Sequence, residues 1–118
     1  MDLKNFYQKI GGSYEEIRSR LPTDKLVEKF VLMLPKEPCF ENLKDGMENQ
    51  DWKAAFAACH TLKGVAANLA LTKLHNSTEV LTEDLRSGTP SPNAQQDFEQ
   101  VKKDFENVIA AINEGVVQ

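Results

Sequence analysis

Leu71 and Thr72, the second of which is expected to cap the following helix, are nearly all the connection between two long helix-forming stretches of this 118-residue chain. The first, 51–70, contains no proline and is rich in alanine, the residue with the highest helix propensity. The second, 72–87, carries an apolar seam at near-heptad spacing, made of Leu74, Thr78, Leu81 and Leu85. A connection this short makes consecutive helices antiparallel neighbours. The sequence therefore predicts a helical hairpin at the centre of the fold.

Two further helices flank the predicted hairpin. Residues 38–48 would bury one face, and residues 92–115 show the clearest helical period of the chain, at Phe98, Val101, Phe105, Val108, Ile109, Ile112 and Val116. No stretch shows the sustained alternation of a strand. The prediction is an all-α fold, an antiparallel four-helix bundle of helices 38–48, 51–70, 72–87 and 92–115.

The N-terminal third carries three shorter helical patterns. Gly11-Gly12 ends the first, the capping-box spacing of Ser13 and Glu16 opens the second, and Asp24 to Leu34 forms the third, closed by Pro35. We expect these helices to cover one end of the bundle. The whole chain is read as one domain, with 1–35 as the helical cover and 38–116 as the bundle.

Several helix ends can be predicted from capping residues. Asn49 or Asp51 can cap the 51–70 helix, and Thr72 is the expected N-cap of the next one. In the loop after Gly88, Ser91 is expected to cap the last helix, with Pro92 at its first position.

The net charge of −4 argues against nucleic-acid binding, which normally needs a basic stripe. The N-terminus lacks the apolar core of a signal peptide, and no apolar run approaches the ~20 residues that span a bilayer. We therefore expect a cytoplasmic chain without membrane attachment. In that compartment Cys39 and Cys59 are expected to be reduced thiols, with Cys59 as a small packing residue.

One face of the 51–70 helix has an unusual composition. At about 100° per residue, His60, Lys63, Gly64, Ala67 and Asn68 share one side, and the apolar residues Ala55, Ala58, Leu62, Val65 and Leu69 share the other. An exposed imidazole is largely neutral, and so nucleophilic, near neutral pH. The lysine places a positive charge beside it, and the glycine lets another surface approach closely. This face suits a histidine that receives a phosphoryl group from a docking partner.

The segment His60-Thr61-Leu62-Lys63-Gly64, followed by Ala67-Asn68-Leu69, resembles the signature of histidine-containing phosphotransfer (HPt) domains. The likeness extends backward through Phe30, Leu43, Asp51 and Trp52, and forward through Leu81 to Arg86-Ser87-Gly88. Many members have glycine where this chain has Ala70, so a departure is expected in the shape of the turn. The resemblance implies a monomeric helical bundle of a two-component phosphorelay, whose His60 accepts phosphate from one receiver aspartate and passes it to another.

On this interpretation His60 is the phosphoacceptor, Lys63 offsets phosphoryl charge, and Gly64 permits close approach. The docking patch would comprise Phe56, Ala57, Ala67, Asn68 and Leu71, together with Gly64. The expected partners are response-regulator receiver domains and a sensor histidine kinase, which can be a hybrid one. The receiver would supply Mg²⁺ and most catalytic groups, so the chain is expected to be a phosphocarrier with no cofactor of its own, not an enzyme.

A second stripe, on the 72–87 helix, holds His75, Glu79, Thr82 and Arg86. If it lies on the same side as His60, Thr82 or Glu79 could hydrogen-bond a ring nitrogen, and Arg86 could attract phosphate. The alternative, an ordinary solvated stripe, is left open. Gly64 also has an alternative interpretation as a close helix–helix contact.

Other functional classes find little support in the residues. His60 and His75 lack further ligands at metal spacing, and no carboxylate pair, P-loop, dinucleotide-type glycine run or nucleophile elbow is present. Two alternatives remain, a helical interaction module whose histidine is never phosphorylated and a substrate domain excised from a histidine kinase. The closeness of both termini to the bundle favours a free-standing carrier or a cleanly excised domain, without distinguishing them.

Overall fold

The computed structural model describes residues 1–116, which form α-helices, one 3-10 turn and no strand. In chain order the helices are α1 (Leu3–Lys9), α2 (Tyr14–Arg20), α3 (Asp24–Val31), α4 (Cys39–Glu48), α5 (Trp52–Asn68), α6 (Thr72–Leu85) and α7 (Ala94–Val116), and the 3-10 turn is Leu34–Lys36. The all-α prediction is confirmed. The four longest helices begin and end within two residues of the predicted limits 38–48, 51–70, 72–87 and 92–115.

Helices α4 to α7 pack in sequence, each against the next. Aromatic side chains of α4 and α7 pack against each other and complete the bundle. Phe40 of α4 stacks on Phe105 of α7, with ring centroids 4.4 Å apart, and also lies parallel to Phe98 at 6.4 Å. The seam predicted for α6 is fully buried, and the core of α7 follows the predicted period. The side chain of Val116 lies outside the described residues.

Three helices, α1, α4 and α5, end in the same way, with a left-handed residue just after the helix. These residues are Gly11, Gln50 and Ala70, with φ of 68°, 55° and 55°. At the end of α5, the N–H of Leu71 donates to Ala66 at 2.9 Å and that of Ala70 donates to Ala67 at 3.1 Å. This pair of hydrogen bonds is the Schellman motif. It satisfies the carbonyls of Ala66 and Ala67 and turns the chain directly into α6, at a left-handed φ that glycine would adopt without strain.

The capping predictions hold at two helices and fail at two others. Asp51 accepts from Ala54 N at 3.1 Å, and Ser13 accepts from Glu16 N at 3.1 Å, so both cap as predicted. Thr72 was expected to cap α6 but is its first residue, because the preceding turn makes Leu71 the N-cap. The start predicted for the last helix at Pro92 is also wrong. Ser91 donates instead to Asp84 at 2.6 Å, and the helix begins at Ala94.

The first two helices contact the turn between α5 and α6. The buried hydroxyl of Tyr7 donates to Leu69 O at 2.8 Å, and Ser13 N donates to Ala70 O at 3.0 Å. These hydrogen bonds fix α1 and α2 beside the C-terminal end of α5. Among the helices of residues 1–116, none combines the length and apolarity needed to cross a membrane.

Candidate functional site

His60 lies in the middle of α5, with its side chain exposed. The opposite face of the helix enters the core, where Ala55 and Leu62 are fully buried. The predicted division of α5 into an apolar buried face and a small-residue outer face is therefore present in the structure. Within residues 1–116 no protein group hydrogen-bonds to the imidazole. The ring is free to react with a group brought from outside.

The residues around His60 on the outer face of α5 are small or half-buried. Phe56, one turn earlier, places its half-buried ring 6.2 Å from the imidazole centroid, tilted by 43°. On the other side, a Cβ added to Gly64 would meet no atom within 4 Å. Ala57 and Asn68 are exposed and Ala67 is half-buried. A partner surface can therefore approach the imidazole along α5 without displacing a large side chain.

The alternative interpretation of Gly64, a close helix–helix contact, is wrong. That role belongs to Gly46 of α4, where an added Cβ would lie 2.8 Å from Ala55 N and 2.9 Å from its Cα. Such distances cannot be accommodated without moving a backbone. Glycine at 46 thus brings α4 against α5, whereas Gly64 faces open space.

The polar stripe of α6 borders the same face as His60. At one end, the guanidinium of Arg86 lies over the Phe56 ring, 5.4 Å from its centroid. At the other end, His75 lines a groove together with Ala67. Glu79, exposed, lies on the helix between them. These contacts place the two ends of the stripe, Arg86 and His75, beside Phe56 and Ala67 of the His60 face.

The flank of the His60 face next to α6 carries two positive side chains, Arg86 and Lys63. Arg86 donates to the Glu83 carboxylate at 2.7 Å, which lowers the pKa of Glu83, and the nearby charge of Lys63 lowers it further. Lys63 is half-buried and takes part in no salt bridge within residues 1–116. Two cations, one of them without an ion-pair partner in the described part of the chain, therefore lie on this flank of the His60 face.

Two residues of the predicted site lie in the core instead. Thr82 is completely buried, and its hydroxyl donates to Thr78 O at 2.6 Å and contacts Cys59 Sγ at 3.3 Å. It therefore makes no hydrogen bond to His60. Leu71 was predicted in the docking patch, but it is 1% exposed because the tight turn after α5 points it inward. Neither residue can contact a partner.

Cys59, next to His60 in the sequence, points into the core. Burial raises the pKa of its thiol to about 11, so the group stays protonated near neutral pH. The prediction that it is a packing residue agrees with this environment. No group of three or more potential metal ligands occurs in the described part of the chain.

Arg20 of α2 is a neighbour of the site that the sequence did not reveal. Its NH1 donates to Ala67 O at 2.7 Å and to Asn68 O at 3.2 Å, so the guanidinium lies at the end of the His60 face. The contact joins residues 47 and 48 positions apart. No periodic pattern within one helix could predict it.

Comparison with protein families finds one matching family model, that of the Hpt domain, which covers residues 25–111. The matched region starts within α3 and extends into α7, so it contains the complete α4–α6 segment and the His60 face. Comparison with curated proteins and with solved structures finds no significant match.

Proposed function

The chain belongs to the Hpt domain family, the phosphotransfer modules of two-component signalling, and on that premise we propose that His60 is its phosphoacceptor. In this proposal His60 accepts a phosphoryl group from the phosphoaspartate of one receiver domain and passes it to the aspartate of another. The kinase upstream is a sensor histidine kinase, and the relay operates in the cytoplasm with a monomeric carrier.

The observation that carries the proposal is an exposed imidazole with no intramolecular partner among residues 1–116, beside a glycine that faces open space. A histidine held for structural reasons is normally hydrogen-bonded or packed. Here the structure leaves both the ring and the approach to it unoccupied. That arrangement is useful when a second protein must bring its reacting group within about 3–3.5 Å of the nucleophile.

The proposed transfer is an in-line displacement at phosphorus. The Nε2 lone pair of neutral His60 attacks, the N–P bond forms, the P–O bond to the donor aspartate breaks, and that aspartate leaves as a carboxylate. The Nδ1 proton stays on the ring or passes to water. Return transfer to a second aspartate reverses these steps. The receiver supplies Mg²⁺ and the groups that stabilise the transition state, so the chain serves as phosphocarrier and not as catalyst.

Residues around His60 have supporting roles in this proposal. Lys63 and Arg86 attract the phosphoryl oxygens, which bring a charge of roughly −1.5 to −2. Gly64 allows close approach, and Phe56, Ala57, Ala67 and Asn68 form the docking patch around it. Glu79 supports the patch from α6. A hydrogen bond from the imidazole N–H to the Glu79 carboxylate would fix the tautomer of His60 when a partner is docked.

Incubation of the full chain with a radiolabelled phospho-receiver and Mg²⁺ tests the proposal. We expect acid-labile, base-stable label on the wild type and none on His60→Gln. His75→Gln is the matched control, because it removes the second histidine and should leave labelling unchanged. A helical interaction module that is never phosphorylated would bind the receiver without taking up label, and that result would overturn the proposal.

A further inference from the structure

Arg20 completes the C-terminal end of the helix that carries His60. The last carbonyls of an α-helix lack intrahelical partners and carry partial negative charge, and α5 has no basic residue in its own last turn. The Schellman motif leaves the carbonyl of Asn68 without a backbone donor in the described residues, and the guanidinium of Arg20 donates to it as well as to the carbonyl of Ala67. Glu16, one turn earlier in α2, holds it from the other side at 3.3 Å.

This contact leaves much of the guanidinium accessible. The Arg20 side chain is 45% exposed, and within the described residues its Nε has no hydrogen-bond acceptor. Ala67 and Asn68 themselves belong to the docking patch. A positive charge with a spare N–H donor is therefore fixed at the edge of the surface that a partner of His60 would cover.

The distance along α5 is short enough for one partner to touch both residues. Ala67 follows His60 by seven residues, which is about 10 Å at ~1.5 Å per residue. A standard interface buries roughly 800 Å² on each partner, equivalent to a disc of about 16 Å radius. A receiver centred on His60 would therefore extend over Arg20.

The chemistry of the expected partner is complementary to this charge. A protein that holds Mg²⁺ beside a phosphorylated aspartate must present several carboxylates at that surface. We propose that α2 forms one wall of the docking surface and that Arg20 pairs with a carboxylate of the receiver, so that it contributes to partner affinity and choice. This inference rests on the proposed function. Helix α2 lies outside residues 25–111, so the family match does not include this contact.

The test measures phosphoryl transfer to the full chain from a receiver domain that has been phosphorylated by acetyl phosphate in the presence of Mg²⁺. A panel of receivers is compared first, and the receiver that transfers fastest to the wild type is used. For Arg20→Ala we expect KM to rise about threefold to fivefold at low ionic strength, with kcat unchanged. Arg20→Lys should retain most of the affinity, because it keeps the charge. The difference should disappear near 1 M salt, where the Debye length is about 3 Å.

Two further measurements separate docking from a structural role. Phosphorylation of His60 by phosphoramidate, with ammonia as the leaving group, needs no protein partner, so Arg20→Ala should leave its rate unchanged. Arg18→Ala removes a cation from the same helix, but one whose bonding partners among residues 1–116 are Tyr14, Leu21, Pro22 and Asp24, and should leave the KM for the receiver unchanged.

An Arg20→Ala variant with the wild-type KM and the wild-type salt dependence would overturn the inference while the proposed function stands. A slower reaction of Arg20→Ala with phosphoramidate would also overturn it. That result would show that the substitution distorts α5, and the rise in KM could then not be assigned to a lost contact with the receiver. If no receiver transfers to the wild type, while phosphoramidate labels His60, the proposed function itself fails and the inference with it.

Discussion

The guanidinium of Arg86 lies 5.4 Å from the ring centroid of Phe56, and that ring lies 6.2 Å from the imidazole of His60. The three side chains come from two antiparallel helices and form one surface cluster. Glu83 holds Arg86 in place through hydrogen bonds of 2.7 to 3.2 Å. The arrangement keeps a cation over the Phe56 ring while leaving the imidazole accessible.

Replacement of Arg86 should weaken phosphoryl transfer without unfolding the chain. We expect Arg86→Ala to lower kcat/KM for transfer to His60 about twofold to fivefold, since an exposed cation attracts an incoming anion only weakly. Arg86→Lys should retain part of the rate. Stopped-flow transfer assays measure this effect, and circular dichroism at rising temperature checks folding. Equal rates for wild type and Arg86→Ala would exclude Arg86 from the phosphoryl site.

The open space beside Gly64 leads to a prediction about partner access. Gly64→Gln should fold as well as wild type, because its Cβ meets no atom within 4 Å, yet it should transfer at least tenfold more slowly from a receiver. Reaction of His60 with phosphoramidate should be affected much less. Wild-type transfer rates in Gly64→Gln would contradict the role given to this glycine.

Gly46→Ala is the matched contrast, since it alters a glycine with no role in docking. Its Cβ would lie 2.8 Å from a backbone nitrogen of α5, so the two helices must separate. We expect a loss of about 1–3 kcal/mol in the free energy of unfolding. Gly64→Ala should instead gain up to about 1 kcal/mol from helix propensity. Urea titrations of both variants measure the difference, and equal stabilities would refute the contrast.

The left-handed residues at helix ends predict a stabilising substitution. Gln50 is exposed with φ of 55°, so Gln50→Gly relieves backbone strain without removing a packed side chain. We expect a gain of about 0.5–1 kcal/mol in the free energy of unfolding. Ala70→Gly should gain less, because its buried methyl contributes about 0.8 kcal/mol. A larger gain at position 70 than at position 50 would contradict this comparison.

A carboxyl pair between α6 and α7 predicts pH-dependent stability. Asp84 Oδ1 accepts from Ser91 at 2.6 Å, while its buried Oδ2 lacks a protein donor within residues 1–116 as long as Asp97 is ionised. Asp97 gains a hydrogen bond to Asp84 when it is protonated, which raises the pKa of Asp97 to about 6. The folded state therefore favours protonated Asp97. This contribution is complete below about pH 4, the ordinary value for aspartate, and is lost as the pH rises through 6.

Thermal unfolding between pH 4 and 8 measures this effect. The melting temperature of the wild type should include a component that falls across pH 5–7, and Asp97→Asn should lose that component because its amide donates at every pH. Asp45→Asn, at an exposed position of α4, controls for the loss of one carboxylate. Identical pH profiles for wild type and Asp97→Asn would refute the shared proton.

The fold and the composition of the His60 face were accessible from the sequence because both depend on local periodicity. A strong 3.6-residue pattern and a two-residue connection define the hairpin, and the same period places His60 opposite Leu62. Thr82 shows the limit of this reasoning. It follows Thr78 by four residues, so it lies only about 40° round the helix from the buried seam and packs inward.

Other features depend on tertiary contacts that no local pattern contains. Leu71 belongs to the short connection between two helices, where the left-handed Ala70 turns it into the core. Whether Gly46 or Gly64 makes the close contact between helices depends on how each helix is rotated about its own axis. Arg20 reaches α5 from a helix 47 residues away. Such relationships need coordinates because only packing decides between equally helical alternatives.

The most direct test of the central claim locates the phosphoryl group. The full chain is labelled by a phospho-receiver, its phosphorylated residue is identified by peptide mapping under alkaline conditions, and an unphosphorylated second receiver with Mg²⁺ is then added. The account predicts a single phosphoryl group on the His60 imidazole that leaves when the second receiver is present. Label on any other residue, or label on His60 that no receiver can remove, would contradict it.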